Sequence, residues 1–425
     1  MPIRILPPPG APRVLAAAQL SNSVGDGAYY VCSALYFVRV VGLSPTQIGL
    51  GLTVAWAVGS VAGVPLGALA DRRGPRGTAV LLALATSAAV ASFLTIRSFS
   101  LFLVAACVYA VAQCGLAATR QALLAGLVAP ADRTGVLAHL QSTLNAGLAL
   151  GAALGGLALS RDTAGAYLAV FAMDAVSFLV CAVVLLRLPT VAPVPGRGSG
   201  EPRLAVLRDR PYAVVTLINA VLLLRMPLLS LAIPLWIVER TNAPSWLVSA
   251  LFVLNTLAVM AFQVRTARAV TGLRTASRAV WHSSVIMFAS CLVFALSAAG
   301  LPGWTAAAIL VVGATLQVVA EMRQSAGSWQ ISFALAPAHQ VGQYQGFFGT
   351  GVPVARTLGP LLLTALLVTW GVPGWLLLGS VFLGAGAATG PAVRWAERSR
   401  ASRAGTERSA YSHTGQDAGA AAVRA

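Results

Sequence analysis

Gly67-Ala68-Leu69-Ala70-Asp71-Arg72-Arg73-Gly74-Pro75-Arg76 stands between two long apolar runs, 44–70 and 77–97. Upstream, Gly59, Gly63 and Gly67 recur every fourth residue. On a helix that spacing gathers the glycines into one stripe, where a second helix can come close. The stretch therefore reads as a short charged turn between two membrane-crossing helices.

Composition agrees. Hydrophobic residues make up 57% of the 425 positions and charged ones 10%, against roughly 25% charged in a soluble chain. The apolar runs extend for about 20 to 28 residues, enough to cross a hydrocarbon core of about 30 Å as helices. Strand-like alternation is absent. In a soluble protein a net charge of +17 would raise nucleic-acid binding, but here position decides. All 29 basic residues are arginine. A twelve-helix assignment puts about 22 of them on one side, the positive-inside pattern, so no nucleic-acid partner is expected.

The expected spans are 14–38, 44–70, 77–97, 101–127, 135–160, 164–188, 211–238, 244–264, 278–300, 303–335, 342–369 and 372–393. An even count puts both termini on one face, and the arginine bias makes that face cytoplasmic. Arg4 and Arg13 ahead of Val14 allow a cleavable signal, but the apolar stretch soon meets Asn22 and Asp26, which favours an uncleaved first span. Cys32, Cys107, Cys114, Cys181 and Cys291 all lie within apolar runs and read as small buried hydrophobes, with no metal site.

The longest polar break, rich in Pro, Gly and Arg, divides the chain near its midpoint. The expected organisation is a six-helix bundle at 1–188, a cytoplasmic linker at 189–211, a second six-helix bundle at 212–395 and a disordered cytoplasmic tail at 396–425. Ala129-Pro130-Ala131 with Gly135 recurs as Ala336-Pro337-Ala338 with Gly342, an offset of 207. Such recurrence is expected of two related halves. The fold class is all-α integral membrane, twelve transmembrane helices in two pseudo-symmetric six-helix bundles.

The Gly67–Arg76 stretch resembles the signature loop of the major facilitator superfamily, with Gly67, Asp71, Arg72, Gly74 and Arg76 at its positions and Pro75 in place of one basic residue. The resemblance implies a cytoplasmic latch. Asp71 would face the positive end of the eleventh span, which begins near Gly342, when the cytoplasmic side is closed. Gly147-Leu148-Ala149-Leu150-Gly151-Ala152-Ala153-Leu154-Gly155-Gly156 is similar to a motif of the drug/proton antiporter branch, with Ala152 where a proline belongs. The resemblance implies efflux. Tight packing by Gly147, Gly151, Gly155 and Gly156 is the alternative and holds for either direction. The antiporter pattern also expects an arginine within the fourth span. Leu101–Ala118 carries no charge, and Arg120 reads as an anchor at the cytoplasmic end.

A charge inside a bilayer costs at least about 2.5–3.5 kcal/mol on insertion scales, so each needs a reason. Asp26, Asp174 and Glu321 are the candidates for proton coupling, with Asp26, midway along the first span, the principal one. Glu321 is expected to point into the cavity, whereas Asp174 has the alternative of being held by Ser177 and nearby backbone. Arg225 and Arg356 are candidate charge partners whose alternative role is plain neutralisation of an acid. Tyr29, Tyr30, Trp56 and Trp329 are cavity candidates, and packing is the alternative for each. Trp236, Trp246, Trp281, Trp304, Trp370, Trp375 and Trp395 fall near span ends and read as interface anchors. Prolines 65, 227, 234, 353 and 360 predict kinks.

A phosphate-binding P-loop needs its lysine, and the chain has none, so an ion gradient is the expected energy source. No enzyme activity, metal or cofactor is expected. The sequence thus predicts a secondary active transporter, a proton-coupled antiporter that exports a small amphipathic organic compound. Its expected setting is a bacterial inner membrane, as a multi-pass monomer in contact with lipid. Import or uniport of a polar metabolite is the alternative within the class, and a non-transporting membrane sensor on the same fold is the alternative outside it.

Overall fold

The computed structural model describes residues 7–192, 204–298 and 300–422, with side chains as far as Ser402 apart from residue 368. Among the described residues every regular element is helical. Six long helices come first: α1 (Ala11–Arg39), α2 (Pro45–Arg73), α3 (Pro75–Phe93), α4 (Phe99–Leu127), α5 (Arg133–Arg161) and α6 (Ala164–Leu186). After a short 3-10 turn at Ala205–Arg208 come α7 (Arg210–Leu223), α8 (Ile233–Arg240), α9 (Leu247–Arg268), α10 (Leu273–Leu296), α11 (Gly303–Ala334), α12 (Val341–Gly349), α13 (Gly351–Leu363) and α14 (Val372–Ala422). Eleven segments are long and apolar enough to cross a membrane. The twelfth, α1, is as long as α2 but carries Asn22 and Asp26 mid-helix.

Local chemistry sets the ends. The Ser44 hydroxyl accepts a hydrogen bond from the Gln47 N–H, and the Ser44 N–H donates in return to Gln47 Oε1, with Pro45 next in the chain, so α2 starts there. One residue, Gly74 at φ 94°, both ends α2 and precedes α3, a backbone state glycine adopts without strain. The seventh span is broken, with α7 separated from α8 by Pro227 and a π-helical turn at Leu228–Ala232. The eleventh is broken too, at Thr350 between α12 and α13. Pro353 has no N–H to offer the Gly349 carbonyl, which is why the ladder fails there. Pro65 and Pro360 by contrast stay inside α2 and α13.

The two halves repeat one another in their packing. Within α1–α6 the first span packs on the fifth and sixth, the second on the fourth, and the third on the fourth and sixth. All five pairings recur in the second half, as α7 with α13 and α14, α9 with α11, and α10 with α11 and α14. Between the halves, α2 meets α12 and α13, and α5 meets α9. Each half has its own core. An aromatic cluster of Tyr29, Tyr36, Phe37, Phe93, Phe102, Tyr109 and Phe171 fills one end of the first, and Trp236, Phe294 and Trp375 anchor the second. The outer surface is apolar, as lipid contact requires: Val61 is 75% exposed and Leu101 57%.

One sequence expectation needs correction here. Trp236 and Trp375, expected at the interface, are fully buried and pack edge to face at 5.6 Å; Trp246, Trp304 and Trp370 are exposed. Most of the expected linker, 193–203, lies outside the described residues, as do the side chains of the expected tail beyond Ser402. What is described of the linker's end packs inward, where the Val206 N–H donates to Gln343 Oε1 and Tyr344 donates to Asp209.

At the face opposite Asp71, α5 ends on Asp162, at φ 45°. Its carboxylate accepts a hydrogen bond from Tyr167 at 2.6 Å and pairs with Arg39. The Tyr167 hydroxyl and then the Arg39 guanidinium hold this exposed carboxyl below the usual carboxylate range.

Candidate functional site

A cavity of about 440 Å³ opens between the two halves, lined by α1, α2, α4, α5, α7, α11, α12 and α13. That volume suits a small molecule. Helical spacing explains the α1 contribution, because Asn22, Asp26 and Tyr30 recur every fourth residue and share a face, and all three line the cavity.

Asp26 is the one carboxylate among the described lining residues. It is buried. Its Oδ2 accepts from Asn22 at 3.1 Å, and its Oδ1 from Gln113 at 3.4 Å and Tyr109 at 3.5 Å. Gln113 also donates to Tyr109 at 3.1 Å. On the other side of Asn22 stands Arg120, donating to Asn22 Oδ1 at 3.2 Å and Gln19 Oε1 at 2.7 Å. Asn22 is thus a neutral spacer between the carboxylate and the guanidinium.

Arg120 was expected as an end anchor, and the structure corrects this. It sits one turn and more inside the end of α4, and its side chain lines the cavity. Its polar company was legible in the sequence: Gln113 lies seven residues earlier, two turns along the same face. Tyr29 is also corrected. It packs in the aromatic core against Phe93, Tyr109 and Phe171, whereas Tyr30, Trp56 and Trp329 do line the cavity.

In the second half Arg225, 8% exposed, follows the end of α7 next to Pro227. All its nitrogens are used. Nη1 pairs with Glu321 at 2.9 Å, Nε donates to Gln324 at 2.9 Å and Nη2 to Ser325 at 3.1 Å. Gln324 extends the network to Asn219 and Ser328. Glu321, expected to point into the cavity, is not among the lining residues; it shares a face of α11 with Gln324, Ser325 and Ser328, which do line it, and is paired with Arg225. Arg356 on α13 does line the cavity. Its guanidinium lies over Trp56 at 5.2 Å and Tyr30 at 6.0 Å, joining the two halves.

Asp174 stays away from the cavity. It is fully buried in α6, takes a hydrogen bond from Ser177, and fills the space that a Cβ on Gly25 would need. Its Oδ2 has no partner among the described residues.

Asp71 accepts hydrogen bonds from the backbone N–H of Gly342 at 2.7 Å and of Gln343 at 2.9 Å, the first-turn donors of α12. A Cβ on Gly67 would strike the Gly342 carbonyl, and one on Gly346 the Gly63 carbonyl. Arg76 donates to the Leu186 carbonyl at the end of α6. Gly147, Gly151 and Gly155 hold α5 against α1, where a Cβ would meet Ser23, Val24 and Ala28 respectively. Gly156, grouped with them in the sequence, faces open space.

No curated protein sequence matches the chain. Among solved structures it is similar to the human organic anion transporter MFSD10 (TETRAN), at 17% identity and TM-score 0.69, covering 89% of this chain and 99% of that one. It is similar also to a bacterial homologue of the iron transporter ferroportin in an outward-facing state, at 14% and 0.70, covering 91% and 99%. A third is the E. coli fucose:proton symporter FucP, at 12% and 0.63, covering 90% and 97%. Residues 15–360 match the model of the Major Facilitator Superfamily; with two pseudo-symmetric bundles around a central cavity, the chain belongs to that superfamily and is a transporter, not an enzyme.

Proposed function

We propose that this protein is a proton-coupled secondary transporter of a small amphipathic organic compound, with Asp26 as the proton-carrying group of the central cavity. One observation carries this reading: Asp26 is the single carboxylate among the described cavity-lining residues, and it is held only by neutral donors at bonding distance. Such a group gains or loses a proton without breaking an ion pair. The broken seventh and eleventh spans beside the cavity supply the flexing that alternating access requires. Asp71, Arg72 and Arg76 with Gly67 and Gly74 form the latch, and its bonds to α12 describe the state closed on that face. The arginine bias makes that face cytoplasmic in a bacterial inner membrane, with the 1–188 and 212–395 bundles rocking as two bodies in a monomer.

Efflux in the manner of the drug/proton antiporter branch is supported by the Gly147–Gly156 stretch, whose glycines serve the α1–α5 contact. Arg120 in the fourth span adds to it. Uptake with protons has its own support in the surplus of arginine over carboxylate around the cavity. The deciding experiment is transport in proteoliposomes under an imposed pH gradient of either polarity. Wild-type protein should accumulate solute only with a gradient, and Asp26→Asn should retain exchange while losing the pH drive. Gradient-driven accumulation by Asp26→Asn at the wild-type rate would overturn the assignment.

A further inference from the structure

We propose that the cavity takes an organic anion, a carboxylate or sulfonate on an apolar body, with its charged group held by Arg120 and Arg356, and that a proton on Asp26 is taken up with it. This rests on the central cavity being the transport site, and on Asp26 as its proton group.

Charge around the cavity is the starting point. Three arginines line it, Arg120, Arg225 and Arg356, against one carboxylate. Arg225 is already neutralised by Glu321 and saturated by Gln324 and Ser325. The other two are not. Arg120 bonds to two neutral amide oxygens, and its buried Nε has no partner among the described residues. Arg356 rests on the ring faces of Trp56 and Tyr30 and hydrogen-bonds the Tyr30 side chain, neutral partners that stabilise a cation without cancelling its charge. Two guanidiniums thus share a single carboxylate, with no acid in bonding contact with either among the described residues. Uncompensated positive charge at this depth is costly, and an entering anion relieves it. A guanidinium fork matches the paired oxygens of carboxylate and sulfonate. Leu223, Phe348 and Val352 offer apolar wall for the rest of the molecule. A cation would enter against the surplus.

The same geometry fixes the sign of the coupling. The groups around Asp26 are Asn22, Tyr29 and Tyr30 on its own helix, Tyr109, Gln113 and Arg120 on α4, Asp174 on α6 and Arg356 on α13. Of these only the two arginines are cationic. An anion that engages them withdraws their compensation from Asp26, and its own charge repels the Asp26 carboxylate. Protonated Asp26 and bound anion therefore favour each other, and by linkage each tightens the other by the same factor. Anion and proton load together and travel in one direction.

The test is ligand binding by the purified full-length protein in nanodiscs. The probes are 3-phenylpropionate and naphthalene-2-sulfonate, with 3-phenylpropanamide and 3-phenylpropylamine as neutral and cationic counterparts. The anions should bind and the counterparts should not. Arg120→Gln and Arg356→Gln should each abolish anion binding. Affinity for the sulfonate, which does not titrate, should be about fivefold or more tighter at about pH 6 than at about pH 8, and Asp26→Asn should erase that difference. Binding of the amine in preference to both anions overturns the proposal on wild-type protein alone. Anion binding that survives both arginine substitutions, or that tightens as pH rises, does so too. Proton-driven transport of the amine through an Asp26-dependent route would sink this inference and leave the proposed function standing.

Discussion

The carboxylate of Asp71 on α2 accepts the N–H of Gly342 on α12 at 2.7 Å, so one half of the protein caps a helix of the other. The bond is charge-assisted and sits on the positive end of the α12 dipole, a term of about 0.3–2 kcal/mol. Asp71→Asn removes the charge and keeps the shape. We expect normal insertion, a shift of about 2- to 30-fold toward the state open on the Asp71 face, and a reduced transport rate. Thiol labelling of a cysteine introduced at Ser60, which lines the cavity, reads the shift. Unchanged labelling with wild-type transport would remove Asp71 from the latch.

Gly151 and Gly156 lie five apart in one glycine-rich stretch and should respond oppositely to alanine. At Gly151 a Cβ would be driven into the Val24 carbonyl of α1, and at Gly156 it would meet nothing. Gly151→Ala should therefore push α5 from α1 and cost about 1–3 kcal/mol. Gly156→Ala, free of contact, should be neutral or gain about 0.5–1 kcal/mol from reduced backbone freedom. Melting temperatures of the two variants in detergent measure the contrast; a common response would mean that the stretch does not act through the α1–α5 contact.

The sequence carried the architecture because apolar run length, arginine bias and the Gly67–Arg76 turn are all one-dimensional signals. A close approach to α2 was legible for the same reason in the spacing of Gly59, Gly63 and Gly67, but the stripe serves two partners: Gly63 and Gly67 meet α12, and Gly59 meets Ala110 of α4. Which way a mid-span side chain faces was not legible. Tyr29 and Tyr30 are neighbours, yet one is core and the other lines the cavity, because α1 turns about 100° between them. Arg120 was misplaced although the expected span 101–127 ended where α4 does: its nearness to that end was read as an anchor, whereas its side chain turns to Gln19 and Asn22 on α1, contacts no local pattern encodes. Glu321 was misplaced because its partner Arg225 lies about a hundred residues away in another helix, a pairing no local pattern encodes.

Asp162 provides a pH-dependent test outside the membrane spans. Tyr167 and Arg39 hold its carboxyl below the ordinary value of about 3.9. A carboxyl lowered by folding contributes stability that is fully present above its unfolded value and is lost as pH falls through the folded one. Asp162→Asn keeps a residue tolerant of positive φ while removing the charge. The variant should melt slightly below wild type at about pH 7, and the gap should close below about pH 4. A gap that persists in acid would mean that the loss is steric.

Arg225 and Glu321 should show strong energetic coupling. Their 2.9 Å pair joins the break after α7 to α11, with side-chain exposures of 9% and 25%. Removing one partner strands the other. Glu321→Gln leaves a mostly buried guanidinium with only the neutral Gln324 and Ser325, and Arg225→Met leaves the Glu321 carboxylate and Gln324 without their donor. Either change should cost about 3–5 kcal/mol, less on the Glu321 side because that carboxylate is partly open. The double variant strands no charge, so its loss should be well below the sum of the singles, with a coupling of about 1–3 kcal/mol. Thermal denaturation of the four proteins measures the cycle. Transport separates structure from mechanism: if the pair serves only to neutralise Arg225, the double variant should keep the pH dependence of transport that Asp26→Asn loses. A double variant that is stable yet insensitive to the proton gradient would instead move the coupling role to Glu321.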